Sequence, residues 1–416
     1  MPKSIKISLL AASVALVLGI FLGVNAHGVH ANTDNSATEG AYRQINVYQE
    51  VLQHVQSDYV VTPNMSKVTD GALRGLLESL DAESSYLTPK EYQDYQQDKG
   101  GKAQVGVNVS KRFGYATIVS LVPGGPADKA NLEDGDIIEA VAGQDTHDLS
   151  LAMIQRMLEG APGSNLEIAV IRPRRADPEK MTLTRAVVAE PAVAQTIYEG
   201  GSIVYLKPAT LDHDHVQEIE SKLKTANKGG DKKVLLDLRD VSTGDMHEAL
   251  RLANLFVKQG VLATLEGQKF PRQTFNADSA KAVDATAPVV VLVNRGTAGP
   301  AELVAAALAD NKRASLVGEK TFGAGAEHKT FPLPDGGALI LSIAKYASPL
   351  GKKFEDDAVT PKTLVASNED TADQGDDATA NKTTAMASKP VITKKAAPAP
   401  DDQLNKALEM LKAMTA

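Results

Sequence analysis

Thr297, Ser242 and Thr243 carry hydroxyls on glycine-containing segments, and Lys320 and His328 supply nitrogen bases further along the chain. A hydroxyl beside such a base could form a nucleophile–base pair, because serine and threonine attack carbonyls only once a neighbour accepts their proton. The pair also needs oxyanion donors in joint register with it. Nothing in these spacings supplies that register, so we read the residues as supports of their loops. Asp212-His213-Asp214-His215 has the residue types of a metal site, and Asp245 and His247 add two more. Metal ligands gather on one face. Adjacent residues at a helix start point in different directions, and Asp212 suits an N-cap. We therefore assign no metal ligands and expect no cofactor. Arg172-Pro173-Arg174-Arg175 reads as a solvated turn between domains rather than an anion site. The chain has no Cys, which excludes disulfides, thiolate metal sites and cysteine nucleophiles. A net charge of -8 with 4% aromatics argues against a nucleic-acid partner, which would meet a basic face and stacking platforms.

The apolar pattern indicates the elements that would position these groups. Lys3 and Lys6 precede an apolar run from Ile7 to Val24, followed by small residues. That order is a secretory signal over 1–31, cleaved after Ala26 or Ala31, or else an uncleaved anchor. Either form places the protein outside the cytoplasm, in the periplasm or cell envelope, with membrane attachment only through an uncleaved N-terminal segment. From Tyr42 to about Lys99 the spacing is helical, with Val47, Val51, Leu52 and Val55 on one face and Leu73, Leu76, Leu77 and Leu80 on another. Short strands then follow at Val105–Val109, Ala116–Leu121, Ile137–Val141 and Leu166–Ile171, with one helix at Leu151–Leu158. Beyond them, strands at Ser202–Leu206, Val234–Leu238, Pro288–Val293, Ala314–Val317 and Ala338–Ala344 alternate with helices at Val216–Leu223 and Pro300–Leu308. This alternation predicts an α/β core, a mixed sheet with flanking helices, over 190–365. The stretch 366–402 has almost no large apolar residue and reads as a disordered linker. Leu404, Leu408 and Leu411 then mark a terminal helix over 403–416.

The β-rich stretch, 102–185, carries a binding pattern. Val105-Gly106-Val107-Asn108-Val109 alternates apolar residues around a Gly, and Pro123-Gly124-Gly125-Pro126-Ala127 leads to Leu132-Glu133-Asp134-Gly135-Asp136-Ile137-Ile138. Together they resemble a PDZ domain inserted into the chain. In such a domain a glycine-bearing loop offers backbone N–H groups to a terminal carboxylate, and an edge strand takes up the peptide by β-augmentation. The resemblance implies peptide binding at Val105, Gly106, Val107 and Val109, with Ile154 and Leu158 completing the pocket for the last side chain.

Other segments resemble the carboxy-terminal processing peptidases, or tail-specific proteases. They are Gly71–Leu77 with Leu80–Leu87, Leu236-Asp237-Leu238-Arg239, Val291–Gly296, Gly318–Gly323 and Ala344-Lys345-Tyr346. Their order, with a PDZ domain after an N-terminal helical segment (40–100), spans nearly the whole exported chain. The resemblance implies a serine nucleophile, a lysine base kept neutral by burial, and a glutamine that orients the lysine. The family's T-A-S-A-S-E is here Thr297-Ala298-Gly299-Pro300-Ala301-Glu302, so Gly299 stands at the nucleophile's position. The T-F-G-K-G motif is Thr321-Phe322-Gly323-Ala324-Gly325, with Ala324 at the lysine and His328 at the glutamine. The oxyanion motif L-R-N-N-P-G-G has become Leu238-Arg239-Asp240-Val241-Ser242-Thr243-Gly244, leaving Thr243 and Gly244 as its remaining oxyanion region. Three catalytic positions change together while the surrounding scaffold motifs persist.

The resulting expectation is a pseudopeptidase that binds protein C-terminal peptides and cuts none of them. It would act as an adaptor or as the partner of an active peptidase paralogue, with self-association left open. The alternative is an active serine-type or threonine-dependent endopeptidase whose site has moved to Thr297, Ser242 or Thr243.

Overall fold

The computed structural model describes residues 35–97, 103–112, 114–172, 177–228, 230, 232–284, 286–367 and 400–414. The expected N-terminal signal, most of the expected linker, and Pro173, Arg174 and Arg175 lie outside the described residues. The chain divides after Thr69 into two units. The first contains α1 (Asn35–Asp58), whose Ile45, Tyr48 and Val51 are exposed. Helix α2 (Met65–Glu78) starts there and continues into the second unit. Among the described residues no helix is long and apolar enough to cross a membrane.

The second unit begins by breaking the expected helical run. Strand β1 (Ser85–Leu87) lies between α2 and α3 (Pro89–Gln96). It pairs antiparallel with a later strand, Tyr86 opposite Leu339, and all three of its residues are buried. A three-residue strand buried on both faces leaves no alternation by which a sequence could distinguish it from a helix end. After the short β2 (Ala103–Gln104), a β-rich module is built from β3 (Val107–Arg112), β4 (Tyr115–Leu121), α4 (Pro126–Lys129), β5 (Ile137–Val141) and β6 (Gln144–Asp145). It is completed by α5 (Leu151–Leu158), β7 (Glu159–Gly160), β8 (Asn165–Ile171), β9 (Glu179–Thr184) and β10 (Ala186–Val187). Its main sheet runs β3-β4-β5-β8-β9 with β6 on β5, so β3 is an edge; β10-β2-β7 form a small separate sheet. The first strand was expected over Val105–Val109, but Val105 and Gly106 precede it and belong to a loop. Their carbonyls accept from Ala127 N at 2.9 Å and Val122 N at 3.0 Å, which folds this loop against the Pro123–Ala127 turn.

The core sheet runs β11-β12-β13-β16-β17-β20. Its strands are β11 (Ala194–Tyr198), β12 (Ile203–Lys207), β13 (Lys233–Asp237), β16 (Val289–Val293), β17 (Ser315–Gly318) and β20 (Thr363–Leu364). Only β11 is antiparallel to its neighbour; the other pairings are parallel. A parallel sheet is covered on both faces, which is why Val289–Val293 is an unbroken apolar run. Val234, Leu236, Val289, Val291 and Val293 pack in the larger core with α6 (His213–Asn227), α7 (Met246–Phe256) and α8 (Pro300–Asp310). Leu235, Val290 and Leu292 face the other way, onto Ala407 and Leu411 of the terminal helix α10 (Asp402–Ala413). An antiparallel sheet runs β1-β19-β14-β15 with β18 also on β19. It comprises β14 (Val261–Glu266), β15 (Gln273–Asn276), β18 (Ala326–Pro332) and β19 (Ala338–Ala347), and is followed by the short α9 (Phe354–Asp357).

Candidate functional site

Neighbouring parallel strands end at one edge of a sheet, where α/β proteins place their sites. Here the loops Leu238–Gly244, Asn294–Gly299 and Glu319–Gly325 leave β13, β16 and β17 at that edge. Asn294 joins the first two: its Oδ1 accepts from Asp240 N at 3.0 Å and its Nδ2 donates to Asp240 Oδ1 at 2.7 Å. Ala298 N donates to Val241 O at 3.0 Å, and Phe322 N donates to Thr297 O at 2.9 Å. Gly244 is required where it stands, with φ +133 and an added Cβ only 2.5 Å from Leu211 O.

These loops bring Gly299 and Ala324 together around one carboxylate. Gly299 caps α8 with φ 53 and ψ -110, a conformation open to glycine but strained for a residue with a side chain, as at a strand-to-helix turn that presents a nucleophile. An added Cβ would find only Met246 Cε, at 3.9 Å. Gly299 N donates to Glu302 Oε2 at 3.0 Å, and Ala324 N donates to the same oxygen at 2.7 Å. Glu302 Oε1 accepts from Gly323 N at 2.8 Å and from Thr321 Oγ1. Glu302 is fully buried. Burial pushes its carboxyl up to about 7 against the four donors. His328 points to a different partner, its Nε2 lying 3.1 Å from Glu83 Oε2. That hydrogen bond raises His328 above its ordinary value, and burial opposes it. Glu302 and Glu83 both stood inside motifs read from the sequence. The signal for Glu302 was its place three residues after a helix cap, where a carboxylate reaches back to the cap N–H.

The other hydroxyls are already engaged. Thr297 is fully buried, and its Oγ1 donates to Leu238 O at 2.8 Å and accepts from Asn294 N at 3.0 Å. Thr243 Oγ1 donates to Thr210 Oγ1 at 3.0 Å. Ser242 Oγ lies 2.6 Å from Ser120 Oγ on β4, which also accepts from Asn108 Nδ2 at 2.9 Å. Lys320 is exposed, away from Gly299 and its carboxylate. Asp212 caps α6 by accepting from His215 N. His215 Nδ1 is 2.7 Å from Asp212 Oδ1 and its Nε2 is 3.0 Å from Pro191 O. Burial opposes the charge on His215, but these two acceptors outweigh it and hold the imidazole above its ordinary value. His213 pairs instead with Glu248 at 3.0 Å. Among the described residues no group of His, Asp and Glu could hold a metal ion.

A cleft of about 350 Å³ joins the β-rich module to this edge. Val107, Val109 and Leu158 line it on one side, with Ser242, Thr243, Ala298, Phe322 and Ala324 on the other. Ile154 is fully buried beneath, and Val105 is buried as well. Further contacts hold the module to the core: Arg295 Nε lies 2.6 Å from Asp134 Oδ2, and the Arg112 guanidinium sits 4.4 Å from the centre of the Phe322 ring. The cleft can therefore receive an extended segment along the free edge of β3, with its far end over Ala298 and Ala324.

Comparison with known families matches residues 202–365 to Peptidase family S41 and residues 117–172 to a PDZ domain. The chain is 30% identical to a carboxyl-terminal-processing protease of Picosynechococcus sp. over 71% of its own length and 72% of that protein. It is 31% identical to carboxyl-terminal-processing peptidase 2, chloroplastic, of Arabidopsis thaliana over 72% of its length, and spans 60% of that relative. Among solved structures it is similar to the photosystem II D1 C-terminal processing protease, with a TM-score of 0.64 and 26% identity, covering 77% of this chain and 92% of the other.

Proposed function

Because the chain belongs to the carboxy-terminal processing peptidases of family S41 and carries a PDZ domain, we propose that it holds protein C-termini in its PDZ groove without cutting them. The terminal carboxylate would sit at the Val105–Val107 loop, and the last side chain would enter the pocket of Val107, Val109, Ile154 and Leu158. The preceding residues would add to the edge of β3 and pass towards Ala298 and Ala324. β-Augmentation binds through main-chain hydrogen bonds, so it needs no nucleophile.

The observation that carries this reading is the environment of Gly299. Its position offers no hydroxyl, Ala324 offers no amine, and the N–H groups of both are taken by Glu302. Acyl transfer requires a nucleophile, a base and oxyanion donors at one point. The basic start and apolar run over Lys3–Val24 support export, so the adaptor would work in the periplasm or envelope, alone or with an active paralogue. The rival reading rests on Ser242, which lines the cleft. Incubating the full chain with casein and with peptides bearing free C-termini separates the two. We expect intact substrates, and no difference among wild type, Ser242→Ala, Thr297→Ala and His328→Ala. Cleavage abolished by any of these substitutions would establish the relocated enzyme instead.

A further inference from the structure

A second cavity, of about 770 Å³, shares no lining residue with the peptide cleft. It opens at the opposite ends of the core strands, beside Val289, Ser315 and Leu316 and the last turn of α8. Its floor is apolar, with Ala306, Phe354 and Val359. Its rim carries Lys312, Arg313, Lys352, Lys353 and Lys362, with Asp310 as the carboxylate among the described lining residues. Several of these charges are already engaged. Arg313 donates to Phe256 O at 2.9 Å and Asp284 O at 2.8 Å; Lys352 lies 3.6 Å from Asp357. Asp310 accepts from Leu350 N at 3.1 Å. Lys312, Lys353 and Lys362 have no carboxylate partner among the described residues.

Two further observations indicate a ligand. Ser348 lines the cavity at 3% exposure, and its hydroxyl has no hydrogen-bond partner among the described residues. An unpaired buried hydroxyl is costly, and an incoming acceptor would remove that cost. The turn that follows, closed by Gly351 N to Ser348 O at 2.8 Å, carries Leu350 at its tip with 72% of its surface exposed. The chain as a whole has a net charge of -8, so a cationic rim around an apolar floor with an apolar tip beside it is a local construction. We propose that this cavity binds the phosphate headgroup of an anionic phospholipid, with Leu350 entering the acyl boundary. Lysines next to an anionic bilayer are attracted to it, and an exposed apolar side chain adds burial at the interface. A free phosphate would satisfy the lysines and Ser348 but leave the floor and Leu350 uncovered.

The test is co-sedimentation of the full chain with vesicles of phosphatidylcholine alone or mixed with phosphatidylglycerol. Lys3 and Lys6 beside the N-terminal apolar run also favour anionic vesicles, so the readout is the anionic preference of each variant relative to wild type. We expect preference for the anionic vesicles, falling roughly 100-fold in Lys312→Gln/Lys353→Gln/Lys362→Gln and falling likewise at high salt. Leu350→Ser should weaken vesicle binding and leave any binding of inorganic phosphate unchanged. Thermal melting checks that the triple variant folds; if it does not, Lys362→Gln alone should reduce the preference several-fold. Equal binding to both vesicle types, a preference unchanged in the lysine variants, or indifference to Leu350→Ser with displacement by inorganic phosphate or an acidic peptide would each overturn the proposal.

Discussion

Glu302 does more at the altered site than any residue singled out from sequence, because it takes the hydrogen bonds of both Gly299 and Ala324. Its carboxyl is raised by burial from an ordinary value of 4.5 to about 7. A carboxyl raised on folding contributes stability that is complete below its unfolded value and disappears as pH rises through the folded one. Stability relative to Glu302→Gln should therefore fall as the pH is raised from about 4.5 through about 7, which chemical denaturation across that range would measure. A pH-independent difference would show that the carboxyl is not the titrating group. Gly244→Ala tests the neighbouring loop: with φ +133 and Leu211 O in the way, it should cost about 3 kcal/mol, read as a lower denaturation midpoint. The motif residues around Gly299, Ala324 and His328 could be read from the sequence because they are contiguous. The pairing of His328 with Glu83 and of Ser242 with Ser120 could not, since the partners come from distant segments brought in by the packing around β1 and β4.

At the level of elements, α10 covers the second face of the core sheet and is fixed at both ends. Asp401 caps it and accepts from Arg239 Nη1 and Nη2 at 2.9 Å each, while Lys233 Nζ donates to Leu411 O at 2.8 Å. Leu411→Ala should destabilise the chain by about 2–5 kcal/mol. Arg239→Met should cost about 3–5 kcal/mol, because it leaves the fully buried Asp237 unpaired. Asp401→Asn should cost much less, and thermal unfolding of the three variants checks the order. The heptad-like spacing of Leu404, Leu408 and Leu411 disclosed this helix, and α5 was placed from Leu151 to Leu158 as the structure has it. No element was assigned between β13 and β16, where α7, β14 and β15 lie. Helix α7 is buried from Ala249 to Phe256 save Arg251, and Met246, Ala249, Leu250, Ala253 and Phe256 recur at helical spacing, so its signal was legible and was passed over. Strand β18 gave no such signal: its residues are mostly exposed and polar, and its partner β19 defines it rather than its own pattern.

Across the whole second unit, the PDZ groove and the altered strand-end loops share one cleft. The bonds from Ser120 to Ser242 and from Arg295 to Asp134 hold the two sides together. A peptide held by its C-terminus would thus lie across Ala298 and Ala324, where the proposed adaptor holds it without cutting it. The most direct test is a calorimetric titration of the full chain with a peptide bearing a free, apolar C-terminus, followed by mass spectrometry of the same sample. We predict saturable binding that is lost on C-terminal amidation and in Val109→Asp, with the peptide recovered intact. A cleaved peptide, or an amidated peptide bound equally well, would contradict the account.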